Sequence, residues 1–82
     1  MDINEVRKKV KKFLTEEFEI EEEKIKPDAD LKSDLGIDSL DFVDFVVVVE
    51  DVFGFKITAE ELKNVTTYDN FCDFIYKKVS QQ

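Results

Sequence analysis

The chain has 82 residues, of which 43% are hydrophobic, and it contains eight Phe but only two Gly and one Pro. This length accommodates one domain with a single modest core, and the composition indicates a compact helical protein rather than a disordered chain or a β-sandwich. The formal net charge of −8 argues against binding to nucleic acid or to an anionic lipid surface and favours basic partners.

The first predicted helix covers residues 3–18. Asp2 followed by Glu5 resembles a capping box at its start, and apolar residues follow at helical spacing. This apolar stripe consists of Ile3, Val6, Val10, Phe13 and Leu14. The five basic residues between these positions are interpreted as a solvated helix face rather than a binding patch. No apolar signal segment precedes the helix, so we expect a cytoplasmic protein without membrane insertion.

A long connection, residues 19–35, is predicted after this helix and contains Pro27. A loop of this length needs contacts of its own to be ordered in a small domain. We expect Ile20, Ile25 and Leu31 to anchor it onto the core.

The second helix is predicted to begin at Ser39, with Asp38 as its N-cap, and to end before Gly54. It contains four consecutive valines, residues 46–49, which alone would fit a buried strand. A helix is preferred because apolar and acidic residues fall on opposite helical faces. The apolar face comprises Phe42, Phe45, Val46, Val49 and Phe53, and the acidic face comprises Asp41, Asp44 and Asp51.

Two further helices are predicted in the C-terminal third of the chain. Thr58 with Glu61 resembles a capping box for a short helix over residues 59–64, and Thr67 is expected to cap a last helix over residues 68–79. The apolar stripe of the last helix consists of Tyr68, Phe71, Cys72, Ile75 and Val79. Its only cysteine, Cys72, is therefore predicted to be a small core residue without a disulfide partner in the chain. The predicted fold is all-α: a small four-helix bundle of three main helices and one short helix, in a single domain over residues 1–82.

Ser39 is the residue that points most clearly to chemistry. At a helix start it lies beside unpaired backbone N–H groups and the positive end of the helix dipole, which suit a phosphate group. The chain contains no histidine to activate the hydroxyl, so Ser39 is interpreted as a substrate for another enzyme rather than as a nucleophile. An isolated serine at such a position is more simply an ordinary helix cap.

Residues 35–40, Leu-Gly-Ile-Asp-Ser-Leu, resemble the signature of acyl carrier proteins. The resemblance extends over nearly the whole chain, because residues 50–57 (Glu-Asp-Val-Phe-Gly-Phe-Lys-Ile) and residues 65–67 (Val-Thr-Thr) fall at the family's offsets. The chain looks most like the free-standing bacterial type that serves fatty-acid synthesis, with the acyl-carrier bundle as its fold.

The resemblance implies that a separate, magnesium-dependent phosphopantetheinyl transferase attaches 4′-phosphopantetheine from coenzyme A to Ser39. Asp38 matches the position that helps to hold the metal during this transfer. The chain itself would catalyse nothing and would carry acyl groups as thioesters on the terminal thiol of the arm. The implied partners are ketosynthase, ketoreductase, dehydratase, enoyl reductase and acyltransferases with basic docking surfaces. We expect the carrier to be a monomer.

Two further sets of residues are predicted from the same resemblance and from the charge pattern. Residues 28–82 carry five basic and twelve acidic side chains, and acids beside outward valines predict a surface for basic partners. This predicted docking set consists of Asp41, Val43, Asp44, Val47, Glu50, Asp51, Glu60 and Glu61. Family members shelter an acyl chain between the helices, and the predicted acyl set consists of Phe42, Phe45, Val46, Val49, Phe53, Leu62, Phe71 and Ile75. Phe42 stands where many relatives have a smaller residue, which leaves a narrower or displaced pocket open.

Other functions are weighed against this prediction. A dedicated carrier for polyketide, aryl-polyene or lipid A chemistry stays open because of Phe42, and an unmodified acidic adaptor would tolerate loss of the Ser39 hydroxyl. A calcium-binding module is suggested by Asp28, Asp30, Asp34 and Asp38. Counting from Asp28 as the first ligand puts Ser33 at the glycine position and Ser39 at the position of the bidentate Glu, so the EF-hand pattern fails.

Overall fold

The structure, a computed structural model, describes residues 2–80. The four α-helices are α1 (Ile3–Glu17), α2 (Asp41–Phe53), α3 (Ala59–Leu62) and α4 (Tyr68–Ser80). A short 3₁₀ turn, Glu22–Lys24, lies in the connection between α1 and α2. Within residues 2–80 the only β-type pairing is an isolated bridge between Asp30 and Thr67. The prediction of an all-α bundle with three main helices and one short helix is confirmed.

The valine-rich segment of α2 is helical because its apolar residues meet the core at helical spacing. Phe42, Phe45 and Val49 are at most 1% exposed, whereas Val46 and Phe53 are half-buried. Burial of this face outweighs the weak helix propensity of β-branched residues. The most extensive packing between helices joins α1 to α4, followed by α2 to α3.

Phe45 lies at the centre of the bundle. Its ring centroid is 5.8 Å from that of Phe13 in α1 and 5.4 Å from that of Phe71 in α4, with which it is stacked at 13°. Phe18, at the C-terminal end of α1, meets the same ring edge-on at 4.4 Å. Aromatic pairs of this kind contribute about 0.5–1.5 kcal/mol each beyond the area they bury. Side chains of α1, α2 and α4 therefore meet at one ring.

The long connection is ordered by apolar anchors and by backbone hydrogen bonds. Of the predicted anchors, two are buried and Ile20 is half-buried. The buried residues of the connection are Ile25, Ala29, Leu31, Leu35 and Ile37. The N–H of Leu31 donates to the Thr66 carbonyl (2.9 Å), and the N–H of Tyr68 donates to the Ala29 carbonyl (2.9 Å). These bonds hold the connection, which leads to Asp38, against the start of α4.

The ends of the helices follow local capping chemistry. The Asp2 carboxylate accepts the N–H of Glu5 (2.9 Å) at the start of α1. Gly54 ends α2 with a φ of 81°, a left-handed conformation that favours glycine. Helix α3 ends two residues earlier than predicted, because the N–H groups of Lys63 and Asn64 donate to carbonyls three residues back in a tighter turn. No helix within residues 2–80 combines the length and the apolarity needed to cross a membrane.

Candidate functional site

A capping box holds the start of α2. The Asp38 Oδ1 atom accepts the N–H of Leu40 (2.9 Å) and the N–H of Asp41 (3.2 Å), and Asp41 Oδ2 accepts the N–H of Asp38 in return (3.2 Å). The regular helix begins at Asp41, two residues later than predicted, because Ser39 and Leu40 form a tighter first turn in which the Asp41 N–H also donates to the Asp38 carbonyl (3.1 Å). Asp38 is nevertheless the capping residue, as its side-chain hydrogen bonds show.

Ser39 immediately follows this cap and is exposed. Neither its hydroxyl nor its backbone N–H forms a hydrogen bond with another group of residues 2–80. The hydroxyl is therefore accessible, and a free N–H lies beside it at the positive end of the helix. These features fit a phosphate ester on the Ser39 oxygen.

Asp38 has capacity beyond its capping role. Its Oδ1 atom is used by the cap, whereas its Oδ2 atom accepts no hydrogen bond from residues 2–80, and the side chain is exposed. A carboxylate oxygen of this kind is a ligand that magnesium prefers.

Two acids of the long connection, Asp30 and Asp34, accept hydrogen bonds from backbone N–H groups of the same loop. Asp30 Oδ1 accepts the N–H groups of Lys32 (2.9 Å) and Ser33 (3.0 Å), and Asp34 Oδ2 accepts the N–H of Asp30 (2.8 Å). The hydrogen bonds from Ser33 and then Lys32 lower the pKa of Asp30. Within residues 2–80, no three acidic or thiol side chains are grouped so as to hold a metal ion.

An apolar stripe runs along the outside of α2. Val43 and Val47, from the predicted docking set, are 59% and 56% exposed, and Leu40 is 79% exposed. These three residues follow the spacing i, i+3, i+7 and share one face of the helix. Leu40 was missed by the sequence analysis, although its offset from the buried positions of α2 would have placed it on this outer face.

The acids of the predicted docking set divide between two sides of α2. Asp41, Asp44 and Asp51 line, with Val47, a groove of about 870 Å³ between α1 and α2. The facing wall, from α1, includes Lys9, Lys12, Phe13 and Phe18. This groove was not predicted, because it depends on how α1 and α2 are placed relative to each other.

Glu61 of the predicted docking set is held by a neighbour on α4. Its Oε2 atom is 2.9 Å from Lys78 Nζ, and the hydrogen bond and charge of Lys78 lower the pKa of Glu61. The other α3 acid, Glu60, and Glu50 of α2 are exposed. The structure therefore leaves Glu50 and Glu60 open to solvent and ties Glu61 to the bundle.

Comparison with known proteins decides the family. The chain matches the family model described as "Phosphopantetheine attachment site" over residues 8–75, a span that includes Ser39. It is 35% identical over 80 residues to an acyl carrier protein of Thermosynechococcus vestitus, which covers 98% of this chain and 99% of the relative. It is 38% identical over 73 residues to acyl carrier proteins from two strains of Buchnera aphidicola subsp. Acyrthosiphon pisum, covering 89% of this chain and 91% of each relative.

This chain belongs to the acyl carrier protein family. Members of this family are carriers rather than enzymes, and the group that they bear is 4′-phosphopantetheine.

The predicted acyl set of this acyl carrier protein lies inside the core. Six of its members are at most 1% exposed, and the remaining two are half-buried. The buried six are Phe42, Phe45, Val49, Leu62, Phe71 and Ile75. Four surface grooves, including the one between α1 and α2, are lined by other residues only. The acyl set is thus brought together as packed side chains.

Cys72 also lies in the core of the carrier and is 0% exposed. Burial raises the pKa of its thiol to about 11, so the thiol stays protonated near neutral pH and is a poor nucleophile. The prediction of a small core residue is confirmed.

Proposed function

We propose that this acyl carrier protein bears 4′-phosphopantetheine on Ser39 and delivers acyl thioesters to the enzymes of fatty-acid synthesis. The observation that carries the proposal is the exposed Ser39 hydroxyl, held at the start of α2 by the reciprocal hydrogen bonds of Asp38 and Asp41. The cap keeps the Ser39 hydroxyl accessible. It also leaves the Ser39 N–H free to donate a hydrogen bond to a phosphate attached to that hydroxyl. The arm, when bound, supplies the thiol that holds the acyl group.

Asp38 is proposed to assist the transfer of the arm. Its Oδ1 atom is engaged in the cap, so the side chain is held in place, and its Oδ2 atom is left to face a magnesium ion. A phosphopantetheinyl transferase would supply the catalytic groups that this chain does not have. One carboxylate would then serve both the helix start and the transfer.

The outer stripe of α2 is proposed as the contact surface for partner enzymes. Leu40, Val43 and Val47 give an apolar strip. The exposed Asp44 flanks this strip on the side of the groove, and the exposed Glu50 lies outside the groove. Charge attraction raises the rate at which a basic partner approaches, and the apolar side chains supply contact area once it has docked. The partners expected for fatty-acid synthesis are ketosynthase, ketoreductase, dehydratase, enoyl reductase and acyltransferases.

The proposed attachment site is tested by mass spectrometry. The protein is incubated with coenzyme A, magnesium and a promiscuous phosphopantetheinyl transferase, and its intact mass is measured. Wild type should gain one phosphopantetheinyl group, and Ser39→Ala should gain none. Ser33→Ala is the matched control, because Ser33 is an exposed serine in the loop before α2 and its loss should leave the gain intact. A wild-type protein that stays unmodified would favour an acidic adaptor and refute the proposal.

A dedicated carrier for specialised acyl chemistry is the second candidate. The observation that favours it is Phe42, a large ring buried one turn below Ser39. Reconstitution of the loaded protein with a fatty-acid elongation ketosynthase separates the two. Condensation of acyl and malonyl groups supports the role in fatty-acid synthesis, and failure to condense them supports a role in polyketide, aryl-polyene or lipid A chemistry.

A further inference from the structure

Asp30 is the centre of a hydrogen-bonded turn in the last part of the connection between α1 and α2. Its Oδ1 atom accepts the N–H groups of Lys32 and Ser33, and its N–H donates to Asp34 Oδ2. The Asp30 carbonyl accepts the N–H groups of Asp34 (3.0 Å) and Leu35 (3.1 Å). The carboxylate, the N–H and the carbonyl of one residue thus all hold the same turn. Asp stabilises turns in this way because its side chain can accept backbone N–H groups a few positions ahead.

This turn, residues 30–37, leads directly into the cap of α2. The N–H of Ile37 donates to the Leu31 carbonyl (2.8 Å), and Gly36 has a φ of 72°, a left-handed conformation that favours glycine. The side chains of Leu31 and Ile37 are 1% and 2% exposed. The chain therefore folds back on itself, and Asp38 follows at a point that the turn sets.

The backbone of the bundle holds this turn at its beginning. Leu31 donates its N–H to the Thr66 carbonyl, whereas within residues 2–80 the backbone of residues 32–37 forms no hydrogen bond with a helix. The position of this segment depends on its bonds to Asp30 and on two buried apolar side chains of its own. Removal of the Asp30 carboxylate would release two N–H groups of the segment to water. The expected consequence is greater freedom of the turn rather than a change in the helices.

Asp38 and Ser39 lie between this turn and the regular part of α2. The regular helix begins only at Asp41, so these two residues are held by the capping bonds on one side and by the turn on the other. Transfer of the arm needs the Ser39 hydroxyl and the free Oδ2 atom of Asp38 in one arrangement, because reaction rates depend strongly on how the reacting groups are placed. A looser turn would present them in several arrangements.

We propose that Asp30 is a positioning residue for the transfer of phosphopantetheine, because its carboxylate holds the turn that presents Asp38 and Ser39 to the transferase. This inference rests on the proposed attachment at Ser39. Without the carboxylate, only a fraction of the molecules has the arrangement that the transferase binds, and the apparent affinity falls in proportion to that fraction. Molecules bound in that arrangement react as in wild type. The effect therefore belongs to KM rather than to kcat.

The test measures initial rates of transfer from coenzyme A at increasing concentrations of the carrier, well below its Tm. For Asp30→Ala, KM should rise by at least about fivefold, while kcat stays within about twofold of wild type. Asp30→Asn keeps a side-chain oxygen that accepts the same N–H groups. Its KM should stay within about twofold of wild type, because the acceptor and not the charge holds the turn.

Two control variants separate positioning from loss of charge and from loss of stability. Asp28→Ala removes an exposed acid of the same connection that lies outside the turn. Tyr68→Phe removes the hydrogen bond from α4 to the Arg7 carbonyl and lowers stability without touching the turn. Both should keep KM within about twofold of wild type, because nearly all molecules of a destabilised domain are still folded below the Tm.

Asp34→Ala is a milder second variant, for the case in which Asp30→Ala does not fold. It removes only the acceptor of the Asp30 N–H, at 2.8 Å. Its KM should rise by about threefold with kcat unchanged, and an unchanged KM would overturn the inference.

A second readout needs neither transferase nor arm. Amide hydrogen exchange of Ile37 reports opening of the turn, because its N–H is bonded to the Leu31 carbonyl. In Asp30→Ala this amide should exchange at least about tenfold faster than in wild type. The Gly54 N–H, bonded to the Glu50 carbonyl at the other end of α2, is the internal reference and should change by less than about threefold.

The outcomes separate this inference from the function on which it rests. A wild-type protein that accepts no phosphopantetheine contradicts the attachment at Ser39 and, with it, the inference. A modified wild type with an unchanged KM in Asp30→Ala overturns the inference while leaving the attachment intact. An Asp30→Asn variant as impaired as Asp30→Ala, or unchanged exchange of the Ile37 amide, also overturns it, because the hydrogen bonds of the carboxylate would then not be the cause.

Discussion

Replacing Asp38 tests whether one carboxylate both caps α2 and assists transfer of the arm. Asp38→Ala removes the acceptor for two N–H groups, at 2.9 and 3.2 Å. Loss of a cap costs about 0.5–2 kcal/mol. Asp38 and Leu40 are exposed, so water can solvate the released donor of Leu40, and the cost should lie near about 1 kcal/mol. In a domain of this size that corresponds to a fall in Tm of about 4–8 °C.

Asp38→Asn separates the two roles of the carboxylate. Asn caps helices about as well as Asp, because its amide oxygen accepts the same N–H groups. It loses the charge interaction with the helix dipole, worth about 0.3–1 kcal/mol, but it also relieves repulsion from Asp41. We therefore expect the Tm of Asp38→Asn to fall by less than half as much as the Tm of Asp38→Ala. Both variants should accept phosphopantetheine much more slowly than wild type.

The assay combines thermal unfolding followed by circular dichroism with the initial rate of mass gain during transfer. An unchanged Tm in Asp38→Ala would refute the capping argument. Transfer at the wild-type rate in Asp38→Asn would refute the role of the charged oxygen in holding magnesium.

Three other side chains give independent predictions. Tyr68 is buried and its hydroxyl donates to the Arg7 carbonyl at 2.8 Å, so Tyr68→Phe should lower the free energy of unfolding in urea by about 0.5–1.5 kcal/mol; an unchanged midpoint would contradict this. Lys78 lowers the pKa of Glu61 below its usual 4.5, so this contribution to stability is present above pH 4.5 and is lost as pH falls through the folded-state pKa. When the pH is lowered from 7 to about 3, the Tm of Glu61→Gln should therefore fall by less than the Tm of wild type. Equal falls in Tm would contradict a stabilising role of the Glu61–Lys78 pair. Because burial raises the pKa of Cys72 to about 11, native protein should react with a disulfide reagent at pH 8 far more slowly than unfolded protein; similar rates would show that the thiol is accessible.

The sequence predicts the starts of α1 and α3 well because their determinants are local. The capping pairs Asp2 with Glu5 and Thr58 with Glu61 span three residues, and both form. Buried stripes are equally predictable, since the spacing of apolar residues identifies the face that meets the core. The candidate attachment residue Ser39 is predicted in the same way, from a short motif at the start of a helix.

Features that join distant segments could not be read from the sequence. Arg7 Nη2 is 2.7 Å from Asp69 Oδ1, although 62 positions separate the two residues. Lys78 was not linked to Glu61, because residues on α3 and α4 become neighbours only when the bundle forms. The groove between α1 and α2 has the same origin, since its two walls belong to helices separated by the long connection.

The proposed docking surface is an intermediate case. Val43 and Val47 were predicted from their positions beside acids, and both are exposed. Leu40 is not among the predicted docking residues, although it is the most exposed of the three. Periodicity extended by one turn toward the N-terminus would have found it.

The most direct test of the central claim is the mass of the protein isolated from its native cells, followed by fragmentation that locates any added group. The account predicts one phosphopantetheinyl group on Ser39, with or without an acyl group on its thiol. Protein that carries no such group, or carries it on another residue, would contradict the assignment of Ser39 as the attachment site.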